Sequence, residues 1–218
     1  MNHVWSYSSL EKFNQCPRAF YHRYVLKERE ASTPALEHGN AVHAALEARI
    51  KGTPLPEAFQ RYDPMATSIV NAWQKGMKVH TELKMGLTKE FEPCGFFDKN
   101  VWGRGAADVI LVQDDTAIIF DWKTGKKREK EEQLRLLALF TFKHFPKVQR
   151  VHGMNLWLEA GDIGAIVSYG RKNTPGLWQL VLPQIQAIES AFKKNAWPEK
   201  PSGLCRYCPV KACQFNKS

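Results

Sequence analysis

The sequence lacks any hydrophobic run that approaches the ~20 residues of a membrane-spanning helix. Its first residues show no apolar stretch like that of a signal peptide, and the chain contains no internal repeat or low-complexity segment. A phosphate-binding G-x-x-x-x-G-K-[ST] motif is also missing, which excludes a P-loop ATPase within this sequence. These absences predict a cytoplasmic protein that does not associate with membranes.

Acidic residues are too few to balance the basic ones. Lys and Arg total 31 against 22 Asp and Glu, which gives a formal net charge of +9 and an isoelectric point near 9.3. An excess of this size favours a polyanionic partner, and nucleic acid is the first candidate. A basic surface that only aids solubility would explain the charge equally well.

The hydrophobic pattern predicts an α/β fold in which helices flank a mixed central sheet. Hydrophobic residues make up 44% of the chain, which is a globular composition. The predicted helices begin at Ser8 or Ser9 and run to residue 25, and then cover 36–50, 65–79, 131–143 and 177–195. The predicted strands cover 87–92, 96–101, 106–112, 117–122, 148–158 and 163–169.

Two aspartates and a lysine lie at the end of a predicted hairpin. Two β-branched runs flank an Asp-rich turn at 113–116, a pattern typical of a β-hairpin. If this turn is symmetric, Asp108 faces Asp121 across the two strands. Lys123 lies two residues beyond Asp121 and therefore on the same face. Because both runs are apolar on both faces, we expect them to be interior strands of the sheet.

Carboxylates at the end of buried strands are costly unless a partner or a ligand uses them. They could form a salt-bridged strand end in which Lys123 neutralises both aspartates. Alternatively, their oxygens suit Mg²⁺ or Mn²⁺, which take one or two carboxylates and keep several waters. Such a metal polarises a phosphodiester and activates a water, while Lys123 orients that water or offsets developing charge. The second interpretation predicts phosphodiester hydrolysis.

Cysteine is scarce, and the number of cysteines is odd. Cys205, Cys208 and Cys213 supply three thiolates at close spacing, and Cys16 is the natural fourth. An odd number without a secretory signal argues against a disulfide framework and for metal binding. Four thiolates suit tetrahedral Zn²⁺ and a [4Fe–4S] cluster equally well. Cys94 is most simply a packing residue.

A series of motifs follows one another along nearly the whole chain. They are Ser6-Tyr-Ser-Ser-Leu-Glu-Lys-Phe-Asn-Gln-Cys16-Pro-Arg18, Gly39-Asn-Ala-Val-His43, Gly103-Arg-Gly-Ala-Ala-Asp108, Ile119-Phe-Asp121-Trp-Lys123-Thr-Gly125 and Gln133-Leu134. In content and order they resemble the PD-(D/E)XK nuclease superfamily, and in particular its RecB-like branch. The resemblance implies a restriction-endonuclease-like core, a mixed sheet flanked by helices and a divalent metal, Mg²⁺ or Mn²⁺.

The resemblance also implies roles for particular residues. The family often has Glu where Asp121 stands, and Asp is an accepted variant there. Glu90 or Glu92, on the predicted strand 87–92, could reach the site as well, although surface positions explain both more simply. The implied site residues are the metal ligands His43, Asp108, Asp121 and the main-chain carbonyl of Trp122, with Lys123 as the catalytic lysine and Gln133 as a further site residue.

Cys16 and Cys208 are each followed by proline, as in the iron–sulfur members of the RecB-like branch. These include the CRISPR-adaptation nuclease and AddB-like repair nucleases. In that group one N-terminal and three C-terminal cysteines bind a [4Fe–4S] cluster, so the resemblance favours iron–sulfur over zinc. A site that joins residue 16 to 205–213 would link both chain ends, and its metal would contribute directly to folding.

These observations predict a metal-dependent deoxyribonuclease, with exonuclease action on single strands or DNA ends as in the relatives. It would act alone or with a protein partner in recombination, repair, phage replication or CRISPR adaptation, in a prokaryotic or phage-infected cell. The alternative is a catalytically inactive nucleic-acid-binding module with the same fold and cluster. A redox or zinc-ribbon protein is a weaker alternative.

We expect a single nuclease domain over 1–218, comprising a helical part (1–80), a catalytic core (81–195) and a cysteine-rich end (196–218). The cation-rich run 123–130 would guide the DNA backbone or form a solvated loop.

Overall fold

The structure, a computed structural model, describes residues 3–28, 31–128 and 130–216. The α-helices are α1 (Tyr7–Gln15), α2 (Pro17–Phe20), α3 (Pro34–Ile50), α4 (Asp63–Gln74), α5 (Glu131–His144) and α6 (Thr174–Lys194). A π-helical turn covers Tyr21–Val25, and 3₁₀ turns cover Glu57–Tyr62, Arg171–Asn173 and Cys205–Tyr207. The strands are β1 (Trp5–Ser6), β2 (Lys78–Leu87), β3 (Pro93–Cys94), β4 (Gly103–Gln113), β5 (Thr116–Lys123), β6 (Arg150–Trp157), β7 (Asp162–Ile163) and β8 (Val167–Gly170). Within the described ranges, no helix is both long and apolar enough to cross a membrane.

The chain divides into two compact units. The central unit, Thr33–Trp178, contains helices α3 to α5 and strands β2 to β8. The terminal unit combines both ends of the chain, Met1–Ser32 and Gln179–Ser218. Each unit is described separately below.

A mixed sheet forms the middle of the central unit. Its strand order is β3-β2-β4-β5-β6-β7, and β8 pairs with β6 beside β7. Strands β2, β4 and β5 are antiparallel neighbours, whereas β5 and β6 are parallel. Helix α5 lies in the connection between the two parallel strands, because parallel neighbours need a long crossover. The predicted α/β fold with a mixed sheet and flanking helices is confirmed.

The hairpin of β4 and β5 has the predicted symmetric register. Its pairs run from Val109 opposite Phe120 to Gln113 opposite Thr116. Asp114, in the turn, has a φ of 51°, a left-handed conformation that Asp tolerates better than most residues. Both strands have a neighbour on each side, as expected for interior strands.

Helices α3 and α4 cover one face of this sheet. Buried residues of α3 recur every four positions, so one stripe of the helix faces the strands. The resulting core consists of Val42, Leu46, Ile50, Leu55, Tyr62, Ala66, Ile69, Val109, Leu111, Trp122, Met154, Leu156 and Leu158. This packing anchors α3 beside the hairpin.

Helix α5 packs closely against β4 at Gly105. A Cβ atom at Gly105 would lie 3.3 Å from the ring of Phe140 and 3.6 Å from Leu137. A side chain at this position would therefore require Phe140 to shift by a few tenths of an ångström. The close approach thus positions the middle of α5, around Leu137 and Phe140, against β4.

The region before β4 differs from the sequence prediction. The predicted helix 65–79 ends earlier, at Gln74, since Gly76 adopts a φ of 91° that terminates it. The predicted strands 87–92 and 96–101 were wrong, because the long strand here is β2 and the following residues form turns around the short β3. A period-two pattern over 79–85 was the signal for β2.

The terminal unit is held together by aromatic side chains. Phe20 is fully buried and lies between Phe13, Phe192 and Trp197, with ring centroids 5.3–6.3 Å apart. The single helix predicted from Ser8 or Ser9 to residue 25 is interrupted at Cys16, whose backbone is extended. Its N-cap is Ser6, which forms a capping box with Ser9.

Candidate active site

Asp108 lies where β4 separates from β5. The backbone pairing of the two strands ends at Val109, the residue that follows Asp108 in the chain. Beyond this point the Asp108 carboxylate, rather than the backbone, bonds to β5. The backbone N–H of Trp122 donates to Asp108 Oδ2, with an N···O distance of 2.7 Å. Asp108 Oδ1 lies 3.3 Å from His43 Nδ1. The carboxylate thus links β4, β5 and α3.

A second carboxylate, that of Glu82, meets Asp108 from β2. The pairing of β2 with β4 continues on both sides of these two residues but skips them. Glu82 has a φ of 48°, which a residue other than glycine rarely adopts. One possible ligand atom each of His43, Glu82 and Asp108 lies within 4.8 Å of the other two. We call these three residues the acidic cluster.

His43 reaches this cluster from α3. The helix begins after Thr33, whose side chain accepts a hydrogen bond from the Leu36 N–H at 3.2 Å. One turn before His43, a Cβ atom at Gly39 would lie 3.1 Å from Thr124 Oγ1. The absence of a side chain at Gly39 therefore allows α3 to approach the end of β5 closely.

The electrostatics of the cluster are dominated by negative charge. Burial lowers the pKa of His43, but the hydrogen bond and charge of Asp108 and the charges of Glu82 and Asp121 together raise it above its ordinary value. Burial, and then the neighbouring Asp108 charge, raise the pKa of Glu82. A bound cation would offset the repulsion between the carboxylates of Glu82 and Asp108.

Asp121, Lys123 and Gln133 form a connected group at the end of β5. Lys123 pairs with Asp121 Oδ2 and also donates from Nζ to Gln133 Oε1 at 2.8 Å. The amide of Gln133 in turn donates from Nε2 to Asp121 Oδ1 at 2.8 Å. Each side chain is therefore oriented by the other two.

Asp121 is deeply buried, with 2% of its surface exposed. Burial raises its pKa to about 6; the Lys123 charge opposes this shift, and the Asp108 charge adds to it. Asp121 Oδ2 lies against the Lys123 ammonium and has no further partner within the described part of the chain. This oxygen retains the capacity to bind a further ligand.

The structure places Trp122 differently from the other predicted ligands. Its N–H holds Asp108, and its side chain is buried in the core between the sheet and α3. The assignment of its carbonyl as a metal ligand stays a prediction.

Glu82 is the site residue that the sequence did not reveal. Glu90 and Glu92, the carboxylates considered from the sequence, are exposed residues beyond the end of β2. The pattern over 79–85 could have identified the strand, but nothing local indicated that a strand residue would carry a ligand.

The described site has the donor set of a divalent cation. Carboxylate oxygens are preferred by Mg²⁺ and Mn²⁺, and an imidazole nitrogen also suits Mn²⁺. His43, Glu82 and Asp108 supply these donors, and the buried Asp121 carboxylate, paired with Lys123, lies at the end of the adjacent strand β5. The residues present therefore fit such an ion.

A pocket in the terminal unit brings the predicted cysteine ligands together. All are half-buried free thiols, and the Ser202 N–H donates to the sulfur of Cys205 at 3.3 Å. Their sulfurs form no group of three within 4.8 Å among the described residues, so the shared pocket is what relates them. Cys94 lies apart, in β3 of the central unit. The cysteines that line the pocket are Cys16, Cys205, Cys208 and Cys213.

Comparisons with known proteins agree with this architecture. The chain is similar to a crystal structure of SSO0001, with a TM-score of 0.51 and 15% identity, over 100% of this chain and 88% of that one. It is also similar to a proposed exonuclease from Eubacterium rectale, with a TM-score of 0.53 and 11% identity, over 96% of this chain and 94% of the other. These likenesses show a shared fold. No curated protein gave a significant match.

The sequence profile of the PD-(D/E)XK nuclease superfamily matches residues 4–213. This match includes both carboxylates of the hairpin, the lysine that follows them and the histidine of α3. The chain therefore belongs to the PD-(D/E)XK nuclease superfamily.

Proposed function

We propose that this protein is a metal-dependent deoxyribonuclease that hydrolyses phosphodiester bonds. The observation that carries the proposal is the convergence of His43, Glu82 and Asp108 within 4.8 Å of one another. A buried carboxylate paired with a lysine lies at the end of the adjacent strand. Membership of a nuclease superfamily makes phosphodiester hydrolysis the reaction that fits these groups best.

The acidic cluster and Asp121 would hold Mg²⁺ or Mn²⁺. Such a cation polarises a phosphodiester and lowers the pKa of a bound water. Trp122 holds the Asp108 carboxylate in place through its N–H, and Gly39 lets α3 bring His43 close to it. The protein thus orients the ligands before a cation arrives.

Lys123 would orient the attacking water or offset the negative charge that develops on the phosphate. Gln133 holds the lysine and Asp121 together and so fixes the direction of the ammonium group. Its two hydrogen bonds define which way its amide faces. Gln133 acts in this proposal as a positioning residue.

DNA is the proposed substrate because the chain carries a net charge of +9, which favours binding to a polyanion. The similarity to a proposed exonuclease supports action on DNA ends, and action on single strands is part of the same proposal. A role in recombination, repair, phage replication or CRISPR adaptation, with or without a protein partner, is part of the proposal. Cleavage assays on defined substrates can measure which DNA ends and which strands the protein prefers.

The test is cleavage of end-labelled single- and double-stranded DNA with Mg²⁺, Mn²⁺ or EDTA. Asp121→Asn and Lys123→Ala should each abolish metal-dependent cleavage, because one removes a ligand charge and the other the positioned ammonium. Binding of the same DNA in EDTA should survive in both variants, since most of the basic surface is unchanged.

Asp115→Asn is a matched control for these variants. Asp115 is a half-exposed carboxylate in the turn of the same hairpin, where it pairs with Arg150 at 3.1 Å. This variant should cleave DNA like the wild type. Wild-type cleavage by Lys123→Ala, or cleavage that persists in EDTA, would overturn the proposal.

The proposal includes a [4Fe–4S] cluster held by the cysteine pocket, with zinc as the alternative occupant. Support comes from the four free thiols that line one pocket and from the N–H that faces the sulfur of Cys205. Thiolates suit both occupants, and hydrogen bonds to sulfur accompany iron–sulfur ligation. A metal there would join residues from both chain ends within the terminal unit.

A further inference from the structure

Two neighbouring aromatic side chains extend from the turn that precedes β4. Phe97 is 75% exposed, and its ring centroid lies 5.0 Å from that of Phe96. The turn is held by hydrogen bonds: the Gly95 N–H donates to Asp98 Oδ2 at 2.6 Å, and the Asp98 N–H donates to the Gly95 carbonyl at 3.2 Å. An exposed phenylalanine on a well-bonded turn is a surface that can stack against a ligand.

Two cations lie against these rings. Lys84 Nζ is 6.0 Å and 5.9 Å from the centroids of Phe96 and Phe97, and Arg104 Cζ is 5.1 Å and 5.4 Å from them. Within the described ranges, neither Lys84 nor Arg104 forms an ion pair with a carboxylate. A cation–π contact at an exposed site is worth only about 0.5–1 kcal/mol. Both charges thus remain available to an anion.

The same face of the sheet carries these cations and the acidic cluster. Gly105 faces α5, so the side chains of Arg104 and Ala106 point to the opposite face, the one from which α3 brings His43 to Asp108. Lys84 pairs with Ala106 on the neighbouring strand β2. Ala106 is exposed although β4 is an interior strand, so none of the described helices covers this part of the face. The four residue-to-residue steps from Asp108 to Arg104 span about 13 Å at ~3.3 Å per step.

We propose that Phe96, Phe97, Lys84 and Arg104 form a platform for single-stranded DNA that extends from the phosphodiester held at the acidic cluster. A base would stack on Phe97, and the neighbouring phosphates would contact Lys84 and Arg104. This inference rests on the proposed nuclease function, because the acidic cluster defines where the strand begins.

Several features favour a nucleic-acid strand as the occupant. Aromatic rings beside cations are the groups that bind single strands, because every base has a face that stacks and every phosphate a negative charge. The Asp98 carboxylate of the turn is engaged by the Gly95 N–H. The platform is also continuous, across the exposed Ala106, with the proposed site of phosphodiester hydrolysis.

The experiment is a length series of single-stranded oligonucleotides, from about two to about eight nucleotides, with binding measured in EDTA by fluorescence anisotropy. For the wild type, affinity should rise once the strand is long enough to reach from the acidic cluster to Phe97. Phe97→Ala should remove this rise and weaken binding of the longest strand about 10-fold, as expected for one lost stacking contact. Phe97→Trp should restore it, because the indole also stacks.

Matched controls separate the platform from general effects. Ile166 is 63% exposed next to β8, which pairs with β6 on the far side of β5 from β4, so Ile166→Ala should bind like the wild type. Lys84→Gln should weaken binding more than Lys147→Gln, a change of an exposed lysine between α5 and β6. A length profile for Phe97→Ala equal to that of Ile166→Ala would overturn the inference.

The failure of the inference is distinguishable from failure of the proposed function. Cleavage of the shortest substrates with Mg²⁺ or Mn²⁺ depends on the acidic cluster and should be the same in Phe97→Ala and the wild type. If the wild type cleaves nothing, the nuclease proposal fails, whereas the binding profile in EDTA still decides the platform. If Phe97→Ala cleaves the shortest substrates normally and binds long strands as tightly as the wild type does, only the platform is wrong.

Discussion

Glu82 lies opposite Asp108 on paired strands, at the point where the pairing of β2 with β4 is interrupted. The interruption coincides with the left-handed backbone of Glu82, with a φ of 48°. Such a conformation costs on the order of 1–3 kcal/mol for a residue with a side chain. The strand thus carries local strain where its carboxylate joins Asp108 and His43.

Glu82→Gly should stabilise the metal-free protein and reduce cleavage. Glycine adopts positive φ without a steric penalty, so the folded state gains about 1 kcal/mol relative to a variant with a side chain. Loss of the carboxylate removes one proposed metal ligand and should lower the cleavage rate severalfold or more. Urea unfolding in EDTA and DNA cleavage at several Mg²⁺ concentrations would measure the two effects.

Glu82→Ala provides the comparison, since it loses the same carboxylate but keeps a Cβ atom at positive φ. Both variants should cleave DNA equally poorly, and only Glu82→Gly should gain the additional stability. Equal unfolding free energies for the two variants would contradict the assignment of strain to this residue.

Gln133→Leu should slow cleavage with little effect on DNA affinity. Gln133 bonds to both Lys123 and Asp121 at 2.8 Å, so leucine of similar size leaves the ammonium and the carboxylate without a common partner. A misplacement of about 1 Å at a reacting group can cost about 100-fold in rate, and we expect a loss of that order in kcat. Single-turnover cleavage with saturating enzyme, together with binding in EDTA, would separate the two quantities.

The Mg²⁺ concentration needed for half-maximal cleavage is a second measurement, and a purely structural role for Gln133 would leave it unchanged. Because Asp121 is a proposed ligand, Gln133→Leu should also need a higher Mg²⁺ concentration for half-maximal cleavage. Arg135→Leu is a control on the same helix, since Arg135 pairs with Glu131 at 3.3 Å and not with the site. An unchanged kcat for Gln133→Leu would remove its positioning role.

Local sequence patterns predicted the hairpin and its register because these depend on neighbouring residues. The Asp-rich turn and the apolar runs specified which residues of β4 and β5 face each other, and the structure has that register. The helix over 131–143 was equally local and ends one residue later, at His144. For these elements propensity and tertiary packing favour the same structure.

The acidic cluster could not be predicted completely, because it depends on a partner strand distant in sequence. Glu82 reaches Asp108 only after β2 pairs with β4, and that register is set by packing on both faces of the sheet. The sequence prediction instead continued the preceding helix to residue 79 and placed the next strand at 87–92. Gly76, which ends the helix through its φ of 91°, was the overlooked local signal.

His3→Phe should make the protein less sensitive to acid. Burial lowers the pKa of His3 to about 4, and its ring packs against Phe20, Tyr24 and Phe192 at 5.0–5.7 Å. Its Nε2 is buried without a hydrogen-bond partner among the described residues. Phenylalanine would keep the ring contacts and remove the titrating nitrogens.

The direction of the pH effect follows from the lowered pKa. Between about pH 6.5 and pH 4 the unfolded chain binds a proton at His3 that the folded protein does not, so acidification through this range favours unfolding. Above about pH 6.5 both states are neutral at this residue, and His3 contributes no pH dependence. Urea unfolding at about pH 7.5 and about pH 5 should therefore show a smaller loss for His3→Phe than for the wild type.

Carboxylates elsewhere contribute equally to both proteins, so the difference between their pH profiles isolates His3. His38→Gln serves as a control because 42% of the His38 side chain is exposed. An identical loss of stability in His3→Phe and the wild type would show that His3 is not responsible.

The purified protein should contain iron and acid-labile sulfide, with four cysteines as ligands. Thiolate ligation of iron gives a broad visible absorption, so protein prepared without oxygen should be brown. Serine in place of Cys16, Cys205, Cys208 or Cys213 should each reduce the iron content and lower stability, because the proposed metal at this pocket would contribute directly to folding of the terminal unit. Metal analysis, absorption spectra and thermal unfolding would measure the three effects.

Cys94→Ser is the matched control for the four cysteine variants. Burial is the main cause that raises the pKa of the Cys94 thiol, which disfavours the thiolate that a metal needs, and the residue lies in the central unit. This variant should keep its colour, its iron and its unfolding temperature. About one zinc per chain and no iron, in protein never exposed to oxygen, would replace the cluster by a tetrahedral zinc site. Metal-free protein of unchanged stability would instead show that the cysteine pocket holds neither a cluster nor zinc. The nuclease proposal would stand after either result, because it depends on residues outside this pocket.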